Sequence, residues 1–134
     1  MSAQVLLPHG WKTPVGYSNG IVVPAGRIVF VAGTVGWDCA TETFHSPDLV
    51  PQFEQALKNI IAILAEAGGK PQHICRMTAF CIDKPAYLAG RRELGRIWKT
   101  LIGNHYPVMS MIFVADLLDH PAKIELEATA VVPA

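Results

Sequence analysis

The fold follows first from the stretch SPDLVPQFEQALKNIIAILAEAGG, residues 46–69. Its apolar residues recur at steps of three or four, a spacing that lines them along one side of a helix: Phe53, Leu57, Ile60, Leu64 and Ala67. Ser46 or Asp48 is suited to cap the first turn, and the pair Gly68-Gly69 supplies a stop. We therefore predict an amphipathic helix that buries one face.

Further strands and a second helix follow along the chain. The run HICRMTAFCID, residues 73–83, alternates two sets of side chains and predicts a strand. The run KPAYLAGRRELGRIWKTLIG, residues 84–103, carries apolar residues at helical spacing and predicts a helix. Two later runs, residues 109–114 and 123–132, are strand-like, and a turn-prone segment separates them.

The residues before the first helix predict a loop and two short strands. Residues 1–18 hold two prolines and two glycines, so we expect irregular structure there. Residues 21–23 and 27–32 are rich in β-branched residues, and the Pro-Ala-Gly turn at 24–26 suits a hairpin between them.

The resulting order β-β-α-β-α-β-β predicts one α+β domain over residues 1–134, with a mixed sheet and two helices on one face. A helix between strands favours a right-handed crossover, and we expect hairpins at both ends of the pattern. No third helix exists to cover the other face, although the strands are apolar and 51% of all residues are hydrophobic. We expect self-association to bury that face.

Charge and composition exclude several classes of function. Lysines and arginines number 11 and so do acids, with no basic run, so we expect no nucleic-acid partner. No long apolar segment predicts a membrane span or a signal peptide. The three cysteines form no close pair, which favours reduced thiols in a cytoplasmic protein, and the five histidines show no metal-binding spacing.

Six local motifs resemble one known family. They are GYSNG at 16–20, VFVAG at 29–33, QFEQALKNIIAILAEAGG at 52–69, RMTAFCID at 76–83, YP at 106–107 and KIELEATAVV at 123–132. In this order and spacing they resemble the Rid/YjgF family of enamine and imine deaminases, also called endoribonuclease L-PSP or translation-inhibitor proteins. The resemblance implies a chorismate-mutase-like fold and a homotrimer with a barrel-like centre and three clefts between subunits. It also implies hydrolysis of small reactive enamines or imines, such as 2-aminoacrylate, without cofactor or metal.

Several site positions of the family are kept here. The family's site tyrosine falls on Tyr17, the glycine that ends its first long strand falls on Gly33, and its site glutamate falls on Glu125. Thr34 follows Gly33 and is a further candidate for substrate binding. The family's site residue on the second helix falls near Arg92.

Other site positions depart from the family. Its strand-end serine falls on Ala32, its carboxylate-gripping arginine on Met109, and its cysteine two residues later on Met111. An arginine grips a carboxylate through paired charge-assisted hydrogen bonds of about 1.5–3 kcal/mol each, whereas a thioether binds no anion. The resemblance therefore implies a substrate other than a small amino-acid-derived enamine, with a neutral, bulkier or aromatic-derived group.

Three questions stay open at the level of sequence. Arg92 and Arg96 lie one helical turn apart, so either one restores the lost charge if that face looks into the cleft, or both are solvated surface residues. Glu125 and Glu127 share one strand face, which is either the solvent side of an edge strand or the side that aims a water at an imine carbon. Tyr17 either hydrogen-bonds the substrate or packs as a lid.

Three functions remain as candidates. The first is a Rid-type hydrolase acting on an enamine, imine or related intermediate, with Glu125 and Tyr17 as catalytic residues. The second is a non-catalytic trimer that binds a small molecule or acts like a chaperone. The third, an endoribonuclease or translation inhibitor, lacks the basic face that phosphates require.

Overall fold

A four-stranded mixed sheet with two long helices on one face forms the body of the protein, and a two-stranded ribbon lies beside it. The computed structural model describes residues 3–134. The elements are β1 (Gln4–Leu6), β2 (Gly20–Val22), β3 (Arg27–Val35), α1 (Leu49–Glu66), a single 3₁₀ turn (Pro71–His73), β4 (Ile74–Cys81), α2 (Lys84–Leu101), β5 (Val108–Phe113) and β6 (Ile124–Val132). The predicted α+β class, with one mixed sheet and two helices, is confirmed.

Helix α1 forms because its apolar stripe packs on the sheet and its ends are stopped by local chemistry. Phe53, Leu57, Ile60 and Leu64 of the predicted stripe are all buried. Asp48 takes the N-cap position as predicted, but its side chain makes no capping hydrogen bond; before the helix, the hydroxyl of Ser46 accepts a hydrogen bond from the amide of Asp48. After it, Gly68 adopts a left-handed φ of 73°, and the amide of Gly69 donates to the carbonyl of Leu64. A glycine at the left-handed position carries no steric cost, so the helix ends there.

The strand order β3-β6-β4-β5 places β6 inside the sheet. Strand β5 runs parallel to β4, as a crossover through α2 requires, whereas β6 is antiparallel to both β3 and β4. The alternative that residues 125 and 127 lie on an edge strand is therefore wrong. The chain returns after β5 and inserts its last strand between two earlier ones, so both sides of β6 are hydrogen-bonded.

The two expected hairpins are also wrong. Strand β2 pairs with β1 and leaves β3 to pair with β6, and β5 does not pair with β6. The prediction that residues 1–18 are irregular fails at Gln4–Leu6, which forms β1; residues 1 and 2 lie outside the described part of the chain. A three-residue strand with an exposed side chain at every position carries no alternation to reveal it.

The two faces of the sheet differ in cover. The helix-covered face buries Met77, Ala79 and Cys81 of β4 together with Leu126 and Ala128 of β6. The opposite face, called here the open face, exposes Ile28, Phe30 and Ile112, and Phe30 alone is 79% exposed. One chain thus leaves several apolar side chains of this sheet face uncovered, as the sequence predicts, beside polar residues such as Thr78 and Glu127.

Polar contacts fix the segment that leads into β6. The amide nitrogen of Gln52, on α1, donates to the carbonyl of Pro121, and its amide oxygen accepts from the backbone of Lys123. The ammonium of Lys123 contacts Oδ2 of Asp83 at 2.8 Å, and Asp83 also caps α2 by accepting from the amide of Ala86. These bonds hold the start of β6, where Glu125 lies, against both helices.

Candidate functional site

Glu125 projects from β6 on the open face of the sheet. It lies opposite Val35 of β3 and Phe80 of β4, and its neighbours Ile124 and Leu126 point to the helices. This alternation follows from the period of two along a strand, which the sequence predicts.

Gly33 provides the space that the Glu125 carboxyl group occupies. The pairing of β3 with β6 shifts between Val31 and Thr34, where β3 carries one residue more than its partner. At this bulge a Cβ atom on Gly33 would lie 2.8 Å from Oε1 of Glu125. Only a glycine therefore leaves the carboxyl group where it is.

The surroundings of Glu125 make its carboxylate more basic than usual. Burial raises the pKa of Glu125, and the negative charges of Asp119 and Glu127 raise it further. No lysine, arginine or histidine within residues 3–134 forms an ion pair with it. A carboxylate with a raised pKa and no cation is suited to accept a proton from water.

A groove of about 530 Å³ on the helix-covered side holds three other predicted site residues, Tyr17, Met109 and Met111. We call it the Met109 groove; its lining is Val15, Gly16, Tyr17, Phe53, Tyr87, Arg91, Leu94, Gly95, Trp98, Tyr106, Met109 and Met111. Met109 and Met111 share one face of β5, beside Met77 and Ala79 of β4, so two thioethers form one wall. The groove is mainly apolar and aromatic.

Tyr17 reaches this groove because its loop is bonded to the start of β5. The amide of Ser18 donates to the carbonyl of Pro107, and the hydroxyl of Ser18 donates to the carbonyl of Tyr106. These two bonds hold the loop beside Met109, and the Tyr17 side chain stays 43% exposed.

The arginine of α2 that lines the groove is not one of the two that the sequence suggested. Arg96 donates to Glu93, with 2.7 Å between Nη2 and Oε2, so it has a partner on the helix surface. Arg92 is exposed and does not line the Met109 groove, whereas Arg91 does. Sequence reasoning missed Arg91, although a signal exists: Arg91 lies four residues after Tyr87 and three before Leu94, in phase with the apolar stripe.

Thr34 lies between the two groups of residues and belongs to neither. Its side chain is 8% exposed, and its hydroxyl donates to the carbonyl of Ala32 at 2.8 Å. The hydroxyl is therefore engaged with the backbone of the bulge that carries Gly33.

The predicted site residues thus form two groups on opposite faces of one sheet. Met111, Ala79 and Leu126 lie side by side on neighbouring strands, and their side chains face the helices. Phe80 and Glu125, each one position along its strand, face the opposite side. One chain brings Glu125 to Gly33, and Tyr17 to Met109, but it does not bring these two pairs into one cavity. A site that uses both needs a second copy of the chain.

A further hollow of about 400 Å³ lies under the β1–β2 ribbon and shares Tyr106 with the Met109 groove. One ring nitrogen of each of its two histidines is hydrogen-bonded to the backbone. Nδ1 of His73 accepts from the amide of Lys70, and Nε2 of His105 contacts the carbonyl of Ile74. Among residues 3–134, no three acidic, histidine or cysteine side chains are placed to hold a metal. Within the same residues, neither long helix is apolar enough to cross a membrane.

Comparison with known proteins agrees with the fold and the motifs. A family model described as endoribonuclease L-PSP matches residues 11–132. Protein DfrA of Myxococcus xanthus is 30% identical over 115 residues, which cover 86% of this chain and 84% of that protein. The human 2-iminobutanoate/2-iminopropanoate deaminase is 26% identical over 115 residues, covering 86% of this chain and 79% of the human protein.

A solved structure gives the same result. The Rid-family protein YyfB of Yersinia pestis matches with a TM-score of 0.86 at 29% identity, over 98% of this chain and 100% of that one. Sequence motifs, family model and fold agree over nearly the whole length, and this chain belongs to the Rid/YjgF family, also known as the endoribonuclease L-PSP family.

Proposed function

We propose that this protein hydrolyses the carbon–nitrogen bond of an enamine or imine in a cleft built from two copies of the chain, within a homotrimer. The observation that carries the proposal is Glu125: a partly buried carboxyl group with a raised pKa, held against Gly33 on a sheet face whose exposed apolar side chains, Phe30 among them, no helix covers. A family relative named as a 2-iminobutanoate/2-iminopropanoate deaminase supports the same reaction class.

In this proposal Glu125 acts as the general base. An enamine first gains a proton at carbon and loses one from nitrogen, which makes it the imine. A water oxygen then attacks the imine carbon, the carbon–nitrogen double bond becomes single, and Glu125 accepts the proton that the water releases. The nitrogen takes up one proton from solvent and a second from Glu125, and ammonia leaves as the hydroxyl group releases its proton to solvent and becomes the carbonyl. The balance is imine plus water to carbonyl compound plus ammonia.

The second copy supplies the Met109 groove as the substrate-binding wall. Tyr17 offers a phenol at the groove mouth, and Met109 and Met111 offer a soft apolar surface. Because the groove carries methionine where the family's arginine is expected, we propose a substrate that is bulkier and more apolar than 2-iminopropanoate. Hydrolysis of 2-iminopropanoate is expected to be weak.

A nuclease function has less support. The chain has equal numbers of basic and acidic residues, and on the open face the strands β4 and β6 place one arginine, Arg76, beside two acids, Glu125 and Glu127. Binding the phosphates of RNA depends on clustered lysines and arginines.

The test is an imine-trapping assay. An amino-acid oxidase generates imines from small, branched and aromatic amino acids while semicarbazide captures what remains unhydrolysed. We expect the protein to lower semicarbazone formation for bulky substrates, and Glu125→Gln to abolish the effect. Glu66→Gln, an exposed acid at the end of α1, is the matched control and should retain activity. Unchanged turnover in Glu125→Gln would refute the catalytic role, and no hydrolysis of any imine would favour a binding protein.

A further inference from the structure

The Met109 groove keeps a positive charge, but on a different wall from the one where the family places it. Arg91 projects from α2, and it lines the groove together with Met109 and Met111 of β5. Residue 109 is an uncharged methionine, but the groove that it lines still contains one cation, Arg91.

Arg91 has no protein partner in the described structure. Within residues 3–134 it forms no ion pair, whereas its neighbour Arg96 is paired with Glu93. The described lining of the groove contains no carboxylate, so Arg91 is its only charged side chain. A guanidinium beside an apolar cavity, with its donors free, matches the geometry of a carboxylate.

The rest of the groove is largely aromatic and apolar. Trp98 and Tyr106 stack with ring centroids 6.4 Å apart and an interplanar angle of 15°. The indole nitrogen of Trp98 donates to the carbonyl of His105 at 3.0 Å, which orients the ring and leaves no indole donor for a ligand. Flat aromatic surfaces and thioethers favour an aromatic body over a small polar one.

We propose that Arg91 is the anion-binding residue of the Met109 groove, and that the groove takes an aryl-substituted carboxylate such as an imino or enamino acid with an aromatic side chain. The inference rests on the proposed function for the reaction but not for binding. The substrate is thus defined by two contacts, its carboxylate at the α2 wall and its ring against the aromatic and methionine side chains.

Binding of unreactive probes tests the assignment without any turnover. Phenylacetate carries both features, phenylacetamide has the ring without the charge, and acetate has the charge without the ring. Titration calorimetry should show phenylacetate binding about tenfold or more tightly than either of the other two. Arg91→Gln should weaken phenylacetate by a similar factor and leave phenylacetamide unchanged. Lys99→Gln removes the same charge near the end of α2, outside the groove, and should alter neither.

Each remaining outcome overturns the inference. Equal affinity for phenylacetate and phenylacetamide would show that the charge plays no part, and equal affinity of Arg91→Gln and the parent for phenylacetate would show that Arg91 is not the anion site. Failure of phenylacetate to bind would remove the aryl acid as ligand class. Glu125→Gln separates the two proposals, because it should lose turnover while binding phenylacetate normally.

Discussion

The carboxyl group of Glu125 lies directly against the α-carbon of Gly33, so close that an added Cβ atom would be 2.8 Å from Oε1. The two residues come from neighbouring strands, and the bulge in β3 between Val31 and Thr34 creates the approach. Because the clash is with the end of a side chain rather than with backbone, a larger residue at position 33 moves the carboxyl group and leaves the sheet intact.

Gly33→Ala is therefore expected to reduce turnover about a hundredfold, since a displacement of about 1 Å is enough for a loss of that size. Thermal unfolding should change little, because Gly33 has no left-handed φ that alanine would resist. Gly20→Ala is the matched control: its Cβ would meet the side chain of Leu6 at an ordinary 3.5 Å, and activity should persist. Full activity of Gly33→Ala would show that the position of this carboxyl group is unimportant.

The pH dependence of turnover reports on the ionisation of Glu125. A base must be deprotonated, so the rate should rise with pH and reach half its maximum above the ordinary glutamate pKa of 4.5, because burial raises the pKa of Glu125. Asp119→Asn removes a negative charge that also raises this pKa, so the midpoint should move to lower pH. Asp116→Asn, on the same loop, is the control. If the midpoint does not move in Asp119→Asn, the rise of the rate with pH belongs to a group other than Glu125.

Because its pKa is raised in the folded state, an ionised Glu125 should lower the free energy of unfolding. An acid whose pKa is higher in the folded state binds its proton more tightly there, so stability falls as pH rises from the unfolded pKa to the folded one. Above that window Glu125→Gln should have a larger free energy of unfolding than the parent, and the gap should close at lower pH. Urea unfolding across this range measures it, with Glu66→Gln as control. A variant less stable than the parent at neutral pH would contradict the shift.

Assembly through the open face is expected to be necessary for activity. Phe30 is 79% exposed in a single chain, and an aspartate there would be buried without a partner if copies pack on this face. Phe30→Asp should therefore sediment as a smaller species, keep its circular dichroism spectrum and lose turnover. Ile63→Asp changes an exposed residue on α1 and should leave the assembly intact. An active, monomeric Phe30→Asp would show that one chain contains the whole site.

The sequence predicted the elements well and their pairing poorly, for a physical reason. Helix α1 was expected within residues 46–69 and runs Leu49–Glu66, because helical periodicity is a local property. Which strand lies beside which depends on where the chain returns, and no local pattern states that β6 enters between β3 and β4.

The site shows the same limit at finer scale. Gly33 and Glu125 were both chosen from motifs, but their contact depends on a bulge that motifs do not encode. On α2, sequence reasoning chose Arg92, and the residue that lines the groove is Arg91. One residue rotates a side chain by about 100° around a helix, so an alignment error of one position moves it off the cavity.

Met109→Arg tests whether the missing cation limits the choice of substrate. The new guanidinium would stand on the β5 wall of the groove, where the family resemblance places the carboxylate clamp, and Arg91 would remain on the α2 wall. Hydrolysis of 2-iminopropanoate should rise about tenfold or more, because a small acid gains a second charge-assisted contact, from the β5 wall, besides the one that Arg91 offers in the parent.

The matched variants separate charge from shape. Met109→Lys supplies a point charge without the planar fork and should gain less, and Met109→Leu keeps an apolar side chain of similar size and should gain nothing. Hydrolysis of bulky imines should become slower in Met109→Arg, because the arginine side chain occupies space in the groove that an apolar substrate group uses in the parent. No gain for 2-iminopropanoate in a folded, assembled Met109→Arg protein would mean that the loss of the strand-end serine at Ala32 or of the cysteine at Met111 restricts the substrate more than the lost charge does.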